Sequence, residues 1–297
     1  MAELRFDGRV AIVTGAGGGL GREHALLLAA RGAKVVVNDL GGAVDGSGGS
    51  ASPANATAEE IQGLGGVAVP DTSSVASPAG GQAVVDTAVQ AFGRVDVVVN
   101  NAGILRDKTF QNMAPGLLDP VLDVHLRGAF NVTRPAWPLM KAQGYGRVLL
   151  TASNSGILGN FGQSNYGAAK MGLVGLARVL AQEGARHGIK VNVLAPIART
   201  RMTEDLLGPL AAKLDPRLVA PVAAWLVHED CPVSGEVYSA GGGRVARFFV
   251  GLTEGWLDPD LDPEGVRDHF DQIRDEAGYR VLGAAAEEIA DLARHLS

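Results

Sequence analysis

The stretch from Arg9 to Asp39 constrains this chain more than any other. Arg9-Val10-Ala11-Ile12-Val13-Thr14 is a short apolar run closed by glycine. Thr14-Gly15-Ala16-Gly17-Gly18-Gly19-Leu20-Gly21 follows, then a helical stretch to Arg31-Gly32, and then Lys34-Val35-Val36-Val37-Asn38, which ends at Asp39. Short apolar runs punctuated by glycine read as buried strands. The segment is therefore a complete βαβ unit of about 30 residues.

The pattern repeats along the chain. A helix at about 56–64 leads to a third strand, Gly66-Val67-Ala68-Val69-Pro70, and a helix at about 78–92 leads to a fourth, Arg94-Val95-Asp96-Val97-Val98-Val99. A long helical region at about 116–142 has Val121, Leu122, Val124, Leu126, Phe130 and Val132 on an apolar face, with His125 beside it. Arg147-Val148-Leu149-Leu150-Thr151, Ile189-Lys190-Val191-Asn192-Val193-Leu194 and Glu236-Val237-Tyr238-Ser239 complete seven strands. Strands alternating with helices point to an α/β fold with a parallel sheet. From Arg244 the character changes, to Phe248, Phe249, Trp256, two Asp-Pro pairs and helical stretches at about 263–277 and 284–296. The expected division is thus residues 1–243 as the main domain and 244–297 as a C-terminal extension. That extension would cover the site or contribute to a dimer contact.

The glycines between the first strand and helix lack Cβ atoms, so backbone N–H groups at the helix N-terminus can approach a pyrophosphate. The spacing is G-x-x-x-G-x-G at Gly15, Gly19 and Gly21, with Gly17 and Leu20 in the same turn. Asp39, at the end of the next strand, can accept hydrogen bonds from a ribose 2′-hydroxyl and would repel a 2′-phosphate. Leu40-Gly41-Gly42 brings no cation beside it, which favours NAD over NADP. Residues 41–55 read as an insertion beside the adenosine site. Ligands of open parallel sheets bind beyond the carboxyl ends of the strands. That is where Asn101-Ala102-Gly103 and Ala195-Pro196 fall, with residues 197–215 as a candidate lid over substrate.

In Ser153–Lys170, Tyr166 and Lys170 are spaced to share one helix face. Ser153 follows the strand ending at Thr151, and Gly156 and Gly159 let the chain turn between them. A hydroxyl, a phenol and an ammonium can converge on one alcohol carbon. The phenol's ordinary pKa of about 10 is too high for an efficient base near neutrality. A cation about 4 Å away offers roughly 4 kcal/mol to the phenolate, enough to lower that pKa by up to about 3 units. A Tyr-x-x-x-Lys pair taken alone more often marks a packed ring and a solvated lysine, so the rest of the chain has to carry the assignment.

Composition narrows the partners. The net charge is −6 and no basic block stands out, which argues against nucleic acid. One cysteine, Cys231, rules out an internal disulfide framework and a cysteine-rich zinc site, and no metal is expected. No apolar run reaches the roughly 20 residues of a spanning helix. The first residues do not read as a signal peptide, and the last, Ala-Arg-His-Leu-Ser, are not a peroxisomal SKL-type address. A cytoplasmic setting without membrane attachment is the expectation.

TGAGGGLG at 14–21, Asp39, NNAG at 100–103, Ser153, YGAAK at 166–170 and Pro196 together resemble the short-chain dehydrogenase/reductase family over residues 6–243. VVNDLGG at 35–41, NNAGILRDKTF at 100–110, VHLRGAF at 124–130, GNFGQSNY at 159–166 and RMT at 201–203 narrow the resemblance. They are similar to the (3R)-hydroxyacyl-CoA dehydrogenase domain of peroxisomal multifunctional enzymes of type 2 and to single-domain bacterial relatives. The resemblance implies a Rossmann-type, doubly wound, seven-stranded parallel sheet with a helical C-terminal extension. It implies NAD-dependent oxidation of a 3-hydroxyacyl-CoA, usually in a homodimer, with a hydroxysteroid or a steroid side-chain acyl-CoA as the alternative substrate. Tyr166 would then be the base, Lys170 would hold the ribose and depress the Tyr166 pKa, and Ser153 would bind the hydroxyl. NAD would be held by Gly15, Gly17, Gly19, Leu20, Gly21 and Asp39. Asn101, Ala102, Gly103, Tyr166 and Lys170 would also bind it, as would Pro196, Ile197, Ala198 and Thr200. His125 stands where the broad family has Asn, and the narrower branch shares it. The acid that usually meets adenine after the third strand is Ser73 here, so Ser74 and Val75 would carry that contact.

Overall fold

The structure, a computed structural model, describes residues 3–201 and 208–296. The first βαβ unit is β1 (Val10–Thr14), α1 (Gly19–Ala30) and β2 (Lys34–Asn38). Then come α2 (Ser52–Gly63), β3 (Val67–Asp71), α3 (Pro78–Phe92) and β4 (Val97–Asn100). The middle of the chain forms α4 (Pro115–Leu122), α5 (Gly128–Gln143), β5 (Gly146–Thr151), α6 (Asn154–Leu158), α7 (Ser164–Gly184) and β6 (Ile189–Pro196). After α8 (Ala220–Leu226) the chain returns as β7 (Val237–Gly241) and β8 (Arg244–Phe248).

The strand order is β3-β2-β1-β4-β5-β6-β7-β8, and the pairs from β3 to β7 are all parallel. β1, β4 and β5 are buried along their whole length, as expected of parallel strands covered on both faces. Ala11, Val13, Val35, Val37, Val97 and Val99 point to one face, where α1, α2 and α8 supply Leu28, Ile61 and Leu226. On the other face α3 and α5 pack together against the sheet. The order reverses between β1 and β4, so a crevice opens at their carboxyl ends.

Two elements depart from the sequence expectation. The doubly wound parallel sheet holds, and an eighth strand is added to the seven. Gly242 and Gly243 both take positive φ (57° and 83°), the combination of a two-residue hairpin turn, so the chain folds back as β8 instead of leaving the sheet. The long helix expected at 116–142 is broken into α4, a π-helical turn at Asp123–Arg127, and α5. Pro120 lies inside α4 and has no N–H to give. The wide turn after it rephases the faces, so His125 is buried while Phe130 is about half exposed.

The chain divides into two compact units between Arg247 and Phe248. The second contains α9 (Pro263–Asp268), α10 (Phe270–Ile273) and α11 (Ala285–His295). Within it Leu252 and Arg280 form an antiparallel bridge, and the rings of Phe249 and Tyr279 stack at 5.4 Å. Asp291 is paired with Arg280 and Arg294. Among the described residues no helix is long and apolar enough to cross a membrane.

Candidate active site

A cavity of about 660 Å³ lies at the carboxyl ends of β1, β4, β5 and β6. Its nucleotide side begins at the turn from β1 into α1. Gly15 has φ +64°, and a Cβ there would come within 2.8 Å of Ala102 Cα. Gly18, the N-cap of α1, brings no side-chain cap, and Gly18, Gly19 and Leu20 line the cavity. An uncapped N-terminus of a twelve-residue helix facing a cavity fits a pyrophosphate. Two predicted binding residues sit behind this wall instead. A Cβ on Gly17 would strike Pro53 and Asp39, and one on Gly21 would lie 2.2 Å from the Gly15 carbonyl oxygen. Neither lines the cavity; both are glycine so that the turn can pack.

Asp39 lines the cavity, and both its carboxylate oxygens are engaged: Gly17 N donates at 2.8 Å and Gly41 N at 2.7 Å. It thus shapes the glycine turn from within. The 41–55 insertion does form part of this wall, through Gly42, Ala43, Val44 and Gly46. On the adenine side, Ser74 and Val75 line the cavity. Asp71 is turned away into bonds with Asn38, Ser73 and Thr87.

Asn101 joins the two strands at the switch point. Its Nδ2 donates to the carbonyls of Thr14 (3.0 Å) and Gly15 (3.1 Å), and its own N–H donates to Thr14 Oγ1 (3.0 Å). Ala102 and Gly103 continue that wall. Pro196, Ile197, Ala198 and Thr200 line the opposite side. The expected lid at 197–215 includes Met202 and Thr203, which lie outside the described residues.

Ser153, Tyr166 and Lys170 meet on the floor. Ser153 ends the segment after β5 and N-caps α6, taking the Ser155 N–H at 3.2 Å. Tyr166 and Lys170 lie one turn apart on α7. The Lys170 ammonium donates to the Thr151 carbonyl at 2.5 Å and stands 5.4 Å from the centre of the Tyr166 ring. Burial raises the Tyr166 phenol above its ordinary pKa, against a lowering hydrogen bond from Ser153, while the Asp107 charge adds to the rise. Burial also lowers the Lys170 ammonium to about 7. Burial therefore outweighs the Ser153 hydrogen bond at the phenol, and its direction is opposite to the expected depression.

His125, in the π-helical turn, packs edge-on against Tyr166 at 5.1 Å. Its Nε2 is shared with the backbone N and O of Ile104, at 3.0 and 2.8 Å. Burial, then the Lys170 charge, push its pKa well below the usual value. Its Nδ1 and Thr151 Oγ1 are buried without a protein partner. Both residues, with Lys170, line a side cavity of about 10 Å³. A Cβ on Gly103 would come within 2.4 Å of the His125 ring, so that glycine lets the imidazole in.

Residue patterns did not single out Arg106, Asn160 or Gln163 as site residues, and all three line the cavity. They come from segments distant in sequence, and only the unbroken NNAGILRDKTF run hinted at Arg106. Among the described residues no group of His, Cys, Asp or Glu is arranged to hold a metal.

A nucleotide cradle on a doubly wound sheet, with serine, tyrosine and lysine on its floor, defines a dinucleotide-dependent oxidoreductase. A family profile described as short chain dehydrogenase matches residues 9–208, and the chain belongs to that family of oxidoreductases acting on CH–OH groups. It is 50% identical over 291 residues to peroxisomal multifunctional enzyme type 2 of Drosophila melanogaster, covering 96% of this chain and 48% of that one. The chain thus spans about half the length of that relative. It is also 50% identical over 277 residues to a short-chain type dehydrogenase/reductase of Mycobacterium tuberculosis, covering 93% of this chain and 97% of the other. A hydroxyacyl-CoA dehydrogenase of the same organism is 38% identical over 295 residues, covering 89% of each chain. Among solved structures, full-length Drosophila multifunctional enzyme type 2 superposes with a TM-score of 0.83 at 41% identity, over 99% of this chain and 50% of that one. A 7α-hydroxysteroid dehydrogenase complexed with NADH and 7-oxo glycochenodeoxycholic acid superposes with a TM-score of 0.74 at 30% identity, over 82% and 98%.

Proposed function

We propose that this chain oxidises a (3R)-3-hydroxyacyl-CoA to the 3-ketoacyl-CoA, with NAD as the hydride acceptor and Tyr166 as the base. The observation that carries this reading is the convergence of Ser153, Tyr166 and Lys170 on the floor of one cavity whose other end is the glycine turn and Asp39. The relatives point the same way, since one of them is named a hydroxyacyl-CoA dehydrogenase. Asp39 supports NAD over NADP, because a carboxylate there would repel a 2′-phosphate.

When bound, the nicotinamide supplies the hydride-accepting carbon. The protein's part is to place the alcohol and remove its proton. Ser153 would hold the substrate hydroxyl by a hydrogen bond, and the Tyr166 oxygen would take the hydroxyl proton. Lys170 would bind ribose hydroxyls and favour the phenolate. Binding there gives the ammonium hydrogen-bonding partners that its buried site otherwise limits to the Thr151 carbonyl. His125 lines the small side cavity with Lys170, and we assign it a part in passing the proton on from the floor. Gly15, Gly19, Leu20, Asn101, Ala102 and Gly103 would hold the dinucleotide from one side. Pro196, Ile197, Ala198 and Thr200 would hold it from the other, with Ser74 and Val75 at the adenine. A homodimer accompanies this reading, as the resemblance implies, and so does a cytoplasmic setting, for which the single cysteine, Cys231, fits a reducing compartment. The C-terminal extension expected at residues 244–297 would serve as a cover or dimer contact.

Purified protein is to be assayed for NADH formation with R and S 3-hydroxyacyl-CoAs of graded length, from 3-hydroxybutyryl-CoA upward, and with estradiol. Turnover of the R thioesters is the expected result. Turnover of estradiol with none of any thioester would replace this reading by the steroid one, which the superposed hydroxysteroid dehydrogenase favours.

A further inference from the structure

The segment Ile104–Lys108 is bound on both sides at nearly every residue. Toward the insertion, Leu105 N donates to the Val44 carbonyl at 2.9 Å, and Arg106 Nε donates to the Asp45 carbonyl at 2.8 Å. Toward the start of α7, Lys108 N donates to the Gly162 carbonyl at 2.9 Å, and Asp107 takes the Gln163 amide at 2.7 Å. Between them lies Asn165, only 1% exposed. Its Nδ2 donates to the carbonyls of Arg106 (2.9 Å) and Leu117 (2.8 Å), and its Oδ1 accepts the Tyr166 N–H at 2.7 Å.

Each end of this linkage has a physical reason. Helix α7 begins at Ser164, so the Tyr166 N–H falls in the first turn, where intrahelical carbonyls are lacking. The neighbouring side chain supplies the acceptor. At the other end, Pro120 cannot donate to the Gly116 carbonyl, the i−4 acceptor in α4. Arg106 Nη1 donates to that oxygen instead, at 2.8 Å. The same guanidinium thus grips α4 and the insertion, while its backbone carbonyl grips Asn165.

We propose that Asn165 is a positioning residue for Tyr166, and that with Arg106 it ties the base to the 41–50 loop on the nucleotide side of the cavity. The inference rests on Tyr166 being the base. Losing the amide would leave α7 folded but free to start in more than one way, so the phenol would spend less time against Ser153. Turnover would fall while the glycine cradle, which Asn165 does not touch, keeps its affinity.

Asn192 provides the matched control. It is fully buried on β6, donates to the Val233 and Leu226 carbonyls and accepts from Glu236 N, and it does not line the cavity. Asn165→Ala, Asn192→Ala and Tyr166→Phe are to be compared with the wild type on whichever alcohol it oxidises, with NADH affinity and Tm measured alongside. Both asparagine variants should lower Tm. Only Asn165→Ala should lower kcat tenfold or more, with the NADH Kd within about threefold. Should Asn165→Ala fail to fold, the isosteric Asn165→Asp takes its place: it keeps the acceptor for the Tyr166 N–H and loses the donors to the Arg106 and Leu117 carbonyls, with a kcat loss of at least threefold and the NADH Kd within about threefold. The inference is overturned if kcat survives in Asn165→Ala (or in Asn165→Asp, should it be needed), or if Asn192→Ala loses as much as the Asn165 variant. If Tyr166→Phe also turns over normally, the assignment of the base has failed. If Tyr166→Phe is dead while Asn165→Ala is normal, only the positioning role has failed.

Discussion

The Lys170 ammonium sits 5.4 Å from the centre of the Tyr166 ring and bonds the Thr151 carbonyl. A cation one helical turn from a phenol is the arrangement that hydride transfer needs, yet burial pushes the phenol up and the ammonium down. A buried phenol is a poor base until charge gathers beside it, so the oxygen itself should be indispensable. Tyr166→Phe is expected to lose at least three orders of magnitude in kcat, a loss that general-base contributions of about 10² to 10⁴ make reasonable. NADH binding, followed by fluorescence, should stay near the wild-type value.

Asp39 accepts N–H groups from Gly17 and Gly41 while facing the cavity. Asp39→Ala should therefore do two things. It should destabilise the fold by about 1–3 kcal/mol, the usual cost of unpairing part-buried donors, and it should raise the ratio of kcat/KM with NADP to that with NAD. Denaturant unfolding and kinetics with both dinucleotides measure these separately. A wild-type enzyme that prefers NADP would show the Asp39 argument to be wrong.

His24, on α1, is buried with neither ring nitrogen partnered, and burial lowers its pKa to about 4. The folded state holds the neutral ring, whereas the unfolded chain takes up a proton below about 6.5. Stability contributed in this way is complete above pH 6.5 and is lost as pH falls toward 4. The loss is about 3 kcal/mol at most, from 1.36 kcal/mol per unit. His24→Leu should remove that part of the pH dependence. Urea midpoints between pH 7 and 4.5 should fall less steeply in the variant than in the wild type.

Gly103 and His125 test how tightly the floor is packed. Gly103→Ala puts a methyl group 2.4 Å from the imidazole and should cost about 1–3 kcal/mol by overpacking. In a His125→Ala background the same change should cost much less, because the ring it strikes is gone. A double-mutant cycle on unfolding free energy measures the coupling, and additive costs would place the strain elsewhere.

The βαβ unit, the parallel strands and the Ser-Tyr-Lys trio were legible in the residues, because apolar runs, glycine turns and helical spacing are local patterns. β8 was not, since a hairpin at Gly242–Gly243 and a loop there read alike until the backbone dihedrals are known. The break in the expected helix at Asp123–Arg127 was also hidden: Pro120 signals a disturbance but not its rephasing of His125 against Phe130.

By itself, then, the order of amino acids determined the fold class, the turn that can cradle a pyrophosphate, and which hydroxyl, phenol and ammonium share one end of the sheet. Tertiary structure alone decided that Gly17 and Gly21 serve packing, that Asp39 bonds the glycine turn, and that Asn165 and Arg106 link the base to the 41–50 loop. It also decided that Tyr166 and Lys170 shift away from their charged forms. The physical reason is that periodicity and backbone preference act between near neighbours in the chain, whereas desolvation and buried hydrogen bonds depend on segments that meet only when the protein folds.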